Sequence, residues 1–187
     1  MSENCGQPKG ATKMHPEVEN FIVETLGHLP DMGNPARVLD CGSLDINGSN
    51  KKYFPLSEYV GVDLGAGPNV DLISPVHRLN GVGPFDVVIS TEMLEHDRYW
   101  KQSVVKMVEL VKPGGLMILT CATEGRGEHG TTRTTPKDAP FTNDYYGNVP
   151  EAQFRTLVEG RFSASNLRTK GTDLQFWGVK DVDLPVV

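Results

Sequence analysis

Residues 37–49, Arg37-Val38-Leu39-Asp40-Cys41-Gly42-Ser43-Leu44-Asp45-Ile46-Asn47-Gly48-Ser49, decide how this chain is read. Arg37–Asp40 is a short apolar run closed by an acid, and a loop of small and polar residues follows at once. Similar runs recur at Tyr59–Asp63, Val70–Ile73, Phe85–Ser90 and Leu116–Thr120. Their β-branched and leucine content, without polar alternation, predicts strands buried on both faces, as in a parallel sheet. Helical spacing surrounds them. Val18, Phe21, Ile22, Leu26 and Leu29 form one apolar stripe, with Pro16 in the first turn and a break at Gly33-Asn34-Pro35. Trp100, Val104, Met107, Val108 and Val111 form a second stripe, which Lys112-Pro113-Gly114-Gly115 should stop. Pro150–Val158 reads as a short helix, and Phe162–Arg168 with Asp173–Val179 as a hairpin turning at Gly171.

Composition bounds the function. The 187 residues carry a net charge of −6, with 38% hydrophobic and 22% charged side chains. That is the balance of an ordinary globular domain. The acidity argues against an extensive nucleic-acid surface, which needs basic side chains to neutralise phosphates. No apolar run is long enough to suggest a membrane span, and Met1–Lys13 lacks the apolar core of a signal peptide. Cys5, Cys41 and Cys121 are odd in number and widely spaced, so neither a disulfide framework nor a zinc cluster is expected. A reducing cytoplasm is the simplest setting. Residues 1–13 read as a mobile tail and 14–187 as a single domain.

Ligands of open α/β sheets bind outside the carboxyl ends of the strands, where strand order switches. The loop after Asp40 is therefore the candidate site. It is not a dinucleotide loop: Gly42 is followed by Ser43 and Leu44, so the glycines that cradle a pyrophosphate are missing. Asp45 would also repel phosphate, and an acidic loop suits a cationic ligand. Asp63, at the end of the second strand, can accept hydrogen bonds from two ribose hydroxyls. A ribose acceptor without a phosphate cradle suits S-adenosylmethionine (SAM), which joins adenosine to a sulfonium and an amino-acid tail. The bland alternative is that Asp40 and Asp63 are turn and cap residues.

The segments VLDCGSLDINGS (38–49), YVGVDLGAGPNVD (59–71), FDVVISTEMLEH (85–96) and LVKPGGLMILT (110–120) resemble, in order and spacing, class I SAM-dependent methyltransferases of the type 11-like kind. The resemblance covers roughly residues 15–120. It implies an α/β, doubly wound, mostly parallel sheet of order 3-2-1-4-5-7-6, with an antiparallel last strand and helices on both faces. It places Gly42 and its neighbours near the amino-acid tail, Asp63 on the ribose, and Thr91 and Glu92 near the methyl group; Asp40, Ser43, Asn47 and Leu64 join them as cofactor-binding candidates, and Cys41 is a small packing residue beside the cofactor. Two positions depart from the family. Its second loop glycine is replaced by Leu44 or Asp45, as in a subgroup with S-x-D-x-N-G. The acid that often meets the adenine amine is Pro75, which leaves the Ser74–Val76 backbone and the apolar contacts of Pro75 and Val76.

Glu92, Glu95 and His96 follow the fourth strand. If a helix begins there they share one face. Two carboxylates and an imidazole suit Mg²⁺, Mn²⁺ or Zn²⁺. The pattern E-x-x-E-H is similar to one in small-RNA 2′-O-methyltransferases and ubiquinone-pathway O-methyltransferases, where it binds metal, and His129 stands where a later ligand histidine would fall. Acids in a first helical turn are also favoured by the helix dipole without a metal. His96 is the first candidate for a general base, with Glu92 and His129 after it. Cys121 has no evident partner as a nucleophile. The resemblance implies SAM-dependent transfer, with S-adenosylhomocysteine (SAH) as product, to an oxygen or nitrogen of a small or medium-sized acceptor. Two alternatives are metal-assisted methylation of an RNA or sugar hydroxyl, and a SAM-binding relative without turnover. Residues 122–148, with Arg126, His129, Arg133 and Lys137, are expected to form an acceptor-side lid that draws an anionic acceptor. Phe141, Tyr145 and Tyr146 would pack that segment or line a pocket.

Overall fold

The computed structural model describes residues 15–28 and 36–182. The predicted tail, Leu29, the Gly33–Pro35 break and Cys5 lie outside them. Helix α1 (Pro16–His28) leads into β1 (Arg37–Cys41), β2 (Glu58–Asp63), β3 (Leu72–Ile73) and β4 (Phe85–Thr91). Then come α2 (Trp100–Leu110), β5 (Val111–Ala122), α3 (Glu151–Val158), β6 (Phe162–Lys170) and β7 (Asp173–Lys180). The strands form one seven-stranded sheet of order β3-β2-β1-β4-β5-β7-β6. The pairs from β3 to β5 are parallel, and β7 is antiparallel to both β5 and β6. This is the expected topology.

Alternation along the central strands builds two cores, because successive side chains point to opposite faces. Val38, Val87, Ile89, Leu116 and Ile118 meet Val18, Phe21 and Ile22 of α1. Leu39, Val88, Met117 and Leu119 meet Val104 and Met107 of α2 and Phe154 of α3. Covered on both sides, these strands have no exposed polar face, which is why their sequences lack alternation.

Three boundaries differ from the sequence reading. Val111 belongs to the sheet, opposite Phe85, and Lys112–Gly115 form an irregularity before pairing resumes at Leu116 opposite Val87. The third strand starts at Leu72, because the Asp71 carboxylate turns back to accept the Gly61 amide at 2.8 Å. No α-helix begins at Glu92, whose backbone is left-handed at φ 52°. Leu94–His96 is a single 3₁₀ turn instead. No helix among the described residues is long and apolar enough to cross a membrane.

Candidate active site

The carboxyl ends of β1, β2, β4 and β5 open into a cleft of about 610 Å³. Gly42 and Asn47 line it from the first loop, Asp63 and Leu64 from β2, and Pro75 and Val76 from the turn after β3. Thr91, Glu92 and His96 line it from the β4 end, and Arg126 and His129 from the long segment after β5. Gly42 is required here: its φ is +84°, and a Cβ would stand 2.7 Å from the Met93 Cβ. The loop backbone therefore packs straight onto the β4 end.

Asp63 holds the cleft's β2 edge together. Its Oδ2 accepts the Leu44 amide at 3.0 Å and its Oδ1 the Leu64 amide at 2.6 Å. Burial pushes its pKa up, against the amides of Leu44, Leu64 and Gly65 that pull it down. Each carboxylate oxygen keeps acceptor capacity for a ligand hydroxyl. Asp45 does not line the cleft. Its carboxylate accepts the Gly48 amide at 2.9 Å and the Asn69 side chain at 3.4 Å, which makes it a turn residue of the loop.

Asp40, Cys41 and Ser43 sit behind the cleft rather than in its wall. Asp40 is buried and accepts the Tyr59 hydroxyl at 2.5 Å and Asn50 Nδ2 at 3.1 Å. Burial raises its pKa to about 6, although those hydrogen bonds pull it down. Asn50 Nδ2 also donates to Thr91 Oγ1 at 3.1 Å, so this amide ties the loop's return to the ends of β1 and β4. Asn50 has no signature in the sequence, because a single amide at a loop end is common. Cys41 and Cys121 are fully buried, and burial pushes both thiols up, which suits packing and not attack.

Glu95, His96 and His129 converge: one ligand atom from each lies within 4.8 Å of the others. Glu95 is fully buried. Its Oε1 accepts the Ala122 amide at 3.1 Å, while Oε2 has no partner. His96 Nδ1 is buried and unpartnered as well. His129 Nδ1 lies 3.1 Å from the Gly127 carbonyl. A proton on that nitrogen leaves the Nε2 lone pair facing Glu95 Oε1, 3.9 Å away. Burial, then His129, lowers the His96 pKa to about 4. Burial, then Glu92, drives the Glu95 carboxyl well up. Orphaned buried acceptors beside two imidazoles fit a divalent cation. Glu92 stands outside this trio. It takes the Thr120 hydroxyl at 2.9 Å and an Arg126 guanidinium nitrogen at 3.7 Å.

The segment after β5 is a hydrogen-bonded strap. Arg133 pairs with Glu128 and, at 2.9 Å, with Asp144, whose carboxylate also takes the Thr132 amide and hydroxyl. Arg133 and Lys137 do not line the cleft. Of the four basic side chains expected to face an acceptor, Arg126 and His129 do so. Arg126 is itself held by Asp173 at 2.7 Å. Tyr146 packs edge-on against both His96 and His129, with centroids 5.5 and 4.8 Å away.

Sheet order, helices on both faces and a cleft at the β1/β4 switch define the class: this is the fold of class I, Rossmann-like methyltransferases. No family model matches the chain, and no curated protein matches it in sequence. Solved structures do. The 1,6-didemethyltoxoflavin-N1-methyltransferase of Burkholderia thailandensis, with bound 1,6-didemethyltoxoflavin and SAH, is 19% identical at a TM-score of 0.62, over 89% of this chain and 79% of that one. The N-terminal domain of EvdMO1, in the presence of SAH and D-fucose, is 18% identical at a TM-score of 0.62, over 89% and 84%. The magnesium protoporphyrin IX methyltransferase of Synechocystis PCC 6803, with bound SAM, is 13% identical at a TM-score of 0.57, over 88% and 80%.

Proposed function

We propose that the chain is a SAM-dependent methyltransferase acting on an oxygen or nitrogen of a small or medium-sized acceptor. The observation that carries this is the Asp63 carboxylate, fixed by backbone amides at the β2 edge of a cleft on the fold's ligand-binding side. SAM, when bound, supplies a methyl group on a good leaving group. Asp63 then holds the ribose, and the backbone at Gly42 and the side chain of Asn47 hold the amino-acid end. Pro75 and Val76 pack on the adenine. Thr91 and Glu92 stand at the methyl end. Most of the work left to the protein is in-line positioning. Glu92 faces the cleft with a pKa raised by burial, which suits it to take a proton from an acceptor that arrives protonated. His96, with its pKa near 4, suits ligation better than base work. Residues 122–148 form the acceptor side, and the net charge of −6 favours a small molecule over a long nucleic acid.

The unpartnered atoms of Glu95 and His96 favour a second reading, in which a divalent metal assists methylation of a hydroxyl. Glu95, His96 and His129 would hold the ion. Two imidazoles and one carboxylate suit Zn²⁺ or Mn²⁺ better than Mg²⁺. Such an ion would lower the pKa of an acceptor hydroxyl bound to it. Thermal unfolding with SAM, SAH or NAD, each in chelator and in added Zn²⁺, Mn²⁺ or Mg²⁺, tests both readings. SAM and SAH should raise Tm, and NAD should not. A shift with NAD alone contradicts the first reading. Zn²⁺ or Mn²⁺ should raise Tm further, and Glu95→Gln should abolish that increment. Equal metal shifts in parent and variant contradict the second.

A further inference from the structure

Phe141, Asn143 and Asp144 have left-handed backbones, with φ of 67°, 52° and 59°. Asn and Asp tolerate that region, whereas a bulky aromatic residue is strained in it. Phe141 is also 55% exposed, so burial offsets little of the strain. Its ring lies on the backbone of Gly65: a Cβ built there would stand 2.3 Å from Phe141 Cδ2. Gly65 belongs to the turn whose amides hold the Asp63 carboxylate. Pro140 and Thr142, on either side of Phe141, line the same cleft as Asp63 and Leu64. The strap thus leaves β5, crosses the cleft and is clasped to the β2 edge. Strain kept at a half-exposed aromatic beside a cleft directs attention to a ligand.

We infer that Phe141 is a cofactor-retaining residue. Its ring forms the rim of the nucleoside end of the cleft, and a bound nucleoside covers the ring's open face. The inference rests on the reading of Asp63 as the ribose site. It gives the strap a role on the cofactor side as well as the acceptor side, because cofactor cannot leave past Asp63 until the ring lifts from Gly65. Glycine is required at position 65 because a side chain there would push the ring away. The Gly65 backbone is not left-handed, so alanine tests space alone.

The test is a double-mutant cycle on the full chain, with SAH as probe and calorimetry as readout. Phe141→Ala should raise the Kd for SAH about tenfold, mainly through faster dissociation. Phe141→Trp should stay within about twofold of the parent, because an aromatic face is kept. Gly65→Ala should weaken SAH binding in the parent and have no further effect in the Phe141→Ala background. Thermal unfolding confirms that each variant is folded. Parent and Phe141→Ala proteins that bind SAH equally well overturn the inference while leaving the Asp63 reading intact. Additive losses in the cycle overturn it too, since they would show that the two residues act apart. A parent protein that does not bind SAH overturns the SAM reading and this inference with it.

Discussion

Asp63→Ala removes two kinds of interaction at once, and the structure separates them. One is internal: the carboxylate accepts the amide of Leu44 at 3.0 Å in a partly buried bond and that of Leu64 at 2.6 Å in an exposed one. Hydrogen bonds to a charged acceptor are worth about 1.5–3 kcal/mol each, and water can replace part of that at a site open to the cleft. A net loss of ~1–3 kcal/mol is expected. At about 2–4 °C per kcal/mol for a chain of this size, Tm should fall measurably while the fold persists. The other is external: two ribose hydroxyls lose a charged acceptor, at a cost of about 2–3 kcal/mol, or roughly 30- to 150-fold in affinity. Asp63→Asn keeps one acceptor oxygen but turns its NH2 against the Leu44 or Leu64 N–H, so stability should suffer at least as much as binding. Calorimetry with SAH reads the binding, and thermal unfolding reads the rest. An Asp63→Ala protein that is folded and binds SAH as tightly as the parent would refute the reasoning.

Other consequences follow from individual residues. Gly42→Ala should lower stability and SAH affinity together, because its φ of +84° and the 2.7 Å approach to Met93 leave no room for a methyl group. Unchanged thermal unfolding and binding would show that the loop relaxes freely. Asp40 is buried with its pKa raised from 3.8 to about 6. The folded state therefore holds the extra proton between these values, and stability contributed at this site falls as pH rises from about 4 to 6. The span is worth roughly 3 kcal/mol. Urea unfolding across that range should show the fall in the parent and its absence in Asp40→Asn; parallel curves would contradict the assignment. Arg133→Ala unties the strap from Glu128 and Asp144 and should speed hydrogen exchange across 128–144 with little change in the sheet. Equal exchange rates would show that the two ion pairs do not order the strap.

The sheet was legible because buried strands announce themselves. Val38, Val87, Ile89, Leu116 and Ile118 are apolar since both faces are covered, and Asp40 and Asp63 mark strand ends. The cleft was legible for the same reason, since the topology fixes where ligands go once strand order is known. Of the four residues expected to gather, Glu95, His96 and His129 lie together, but by another route. Helical spacing puts Glu92, Glu95 and His96 on one face, whereas the chain uses a 3₁₀ turn and brings His129 back along the strap. Glu92 was drawn into the cluster by that same spacing, but its left-handed backbone sends it toward Thr120 and Arg126. Positive charge on the strap was visible in sequence, yet the pairing of Arg133 with Glu128 and Asp144 is tertiary and has no local signature. Phe141 illustrates the same limit: nothing near position 141 announces a partner at Gly65.

The most direct test of the central claim is the crystal structure of the chain with SAH. Both ribose hydroxyls should lie within hydrogen-bond distance of the Asp63 carboxylate, with the amino-acid end against the backbone at Gly42 and the sulfur facing Thr91 and Glu92. SAH bound elsewhere, or bound in the cleft with its ribose away from Asp63, would contradict it.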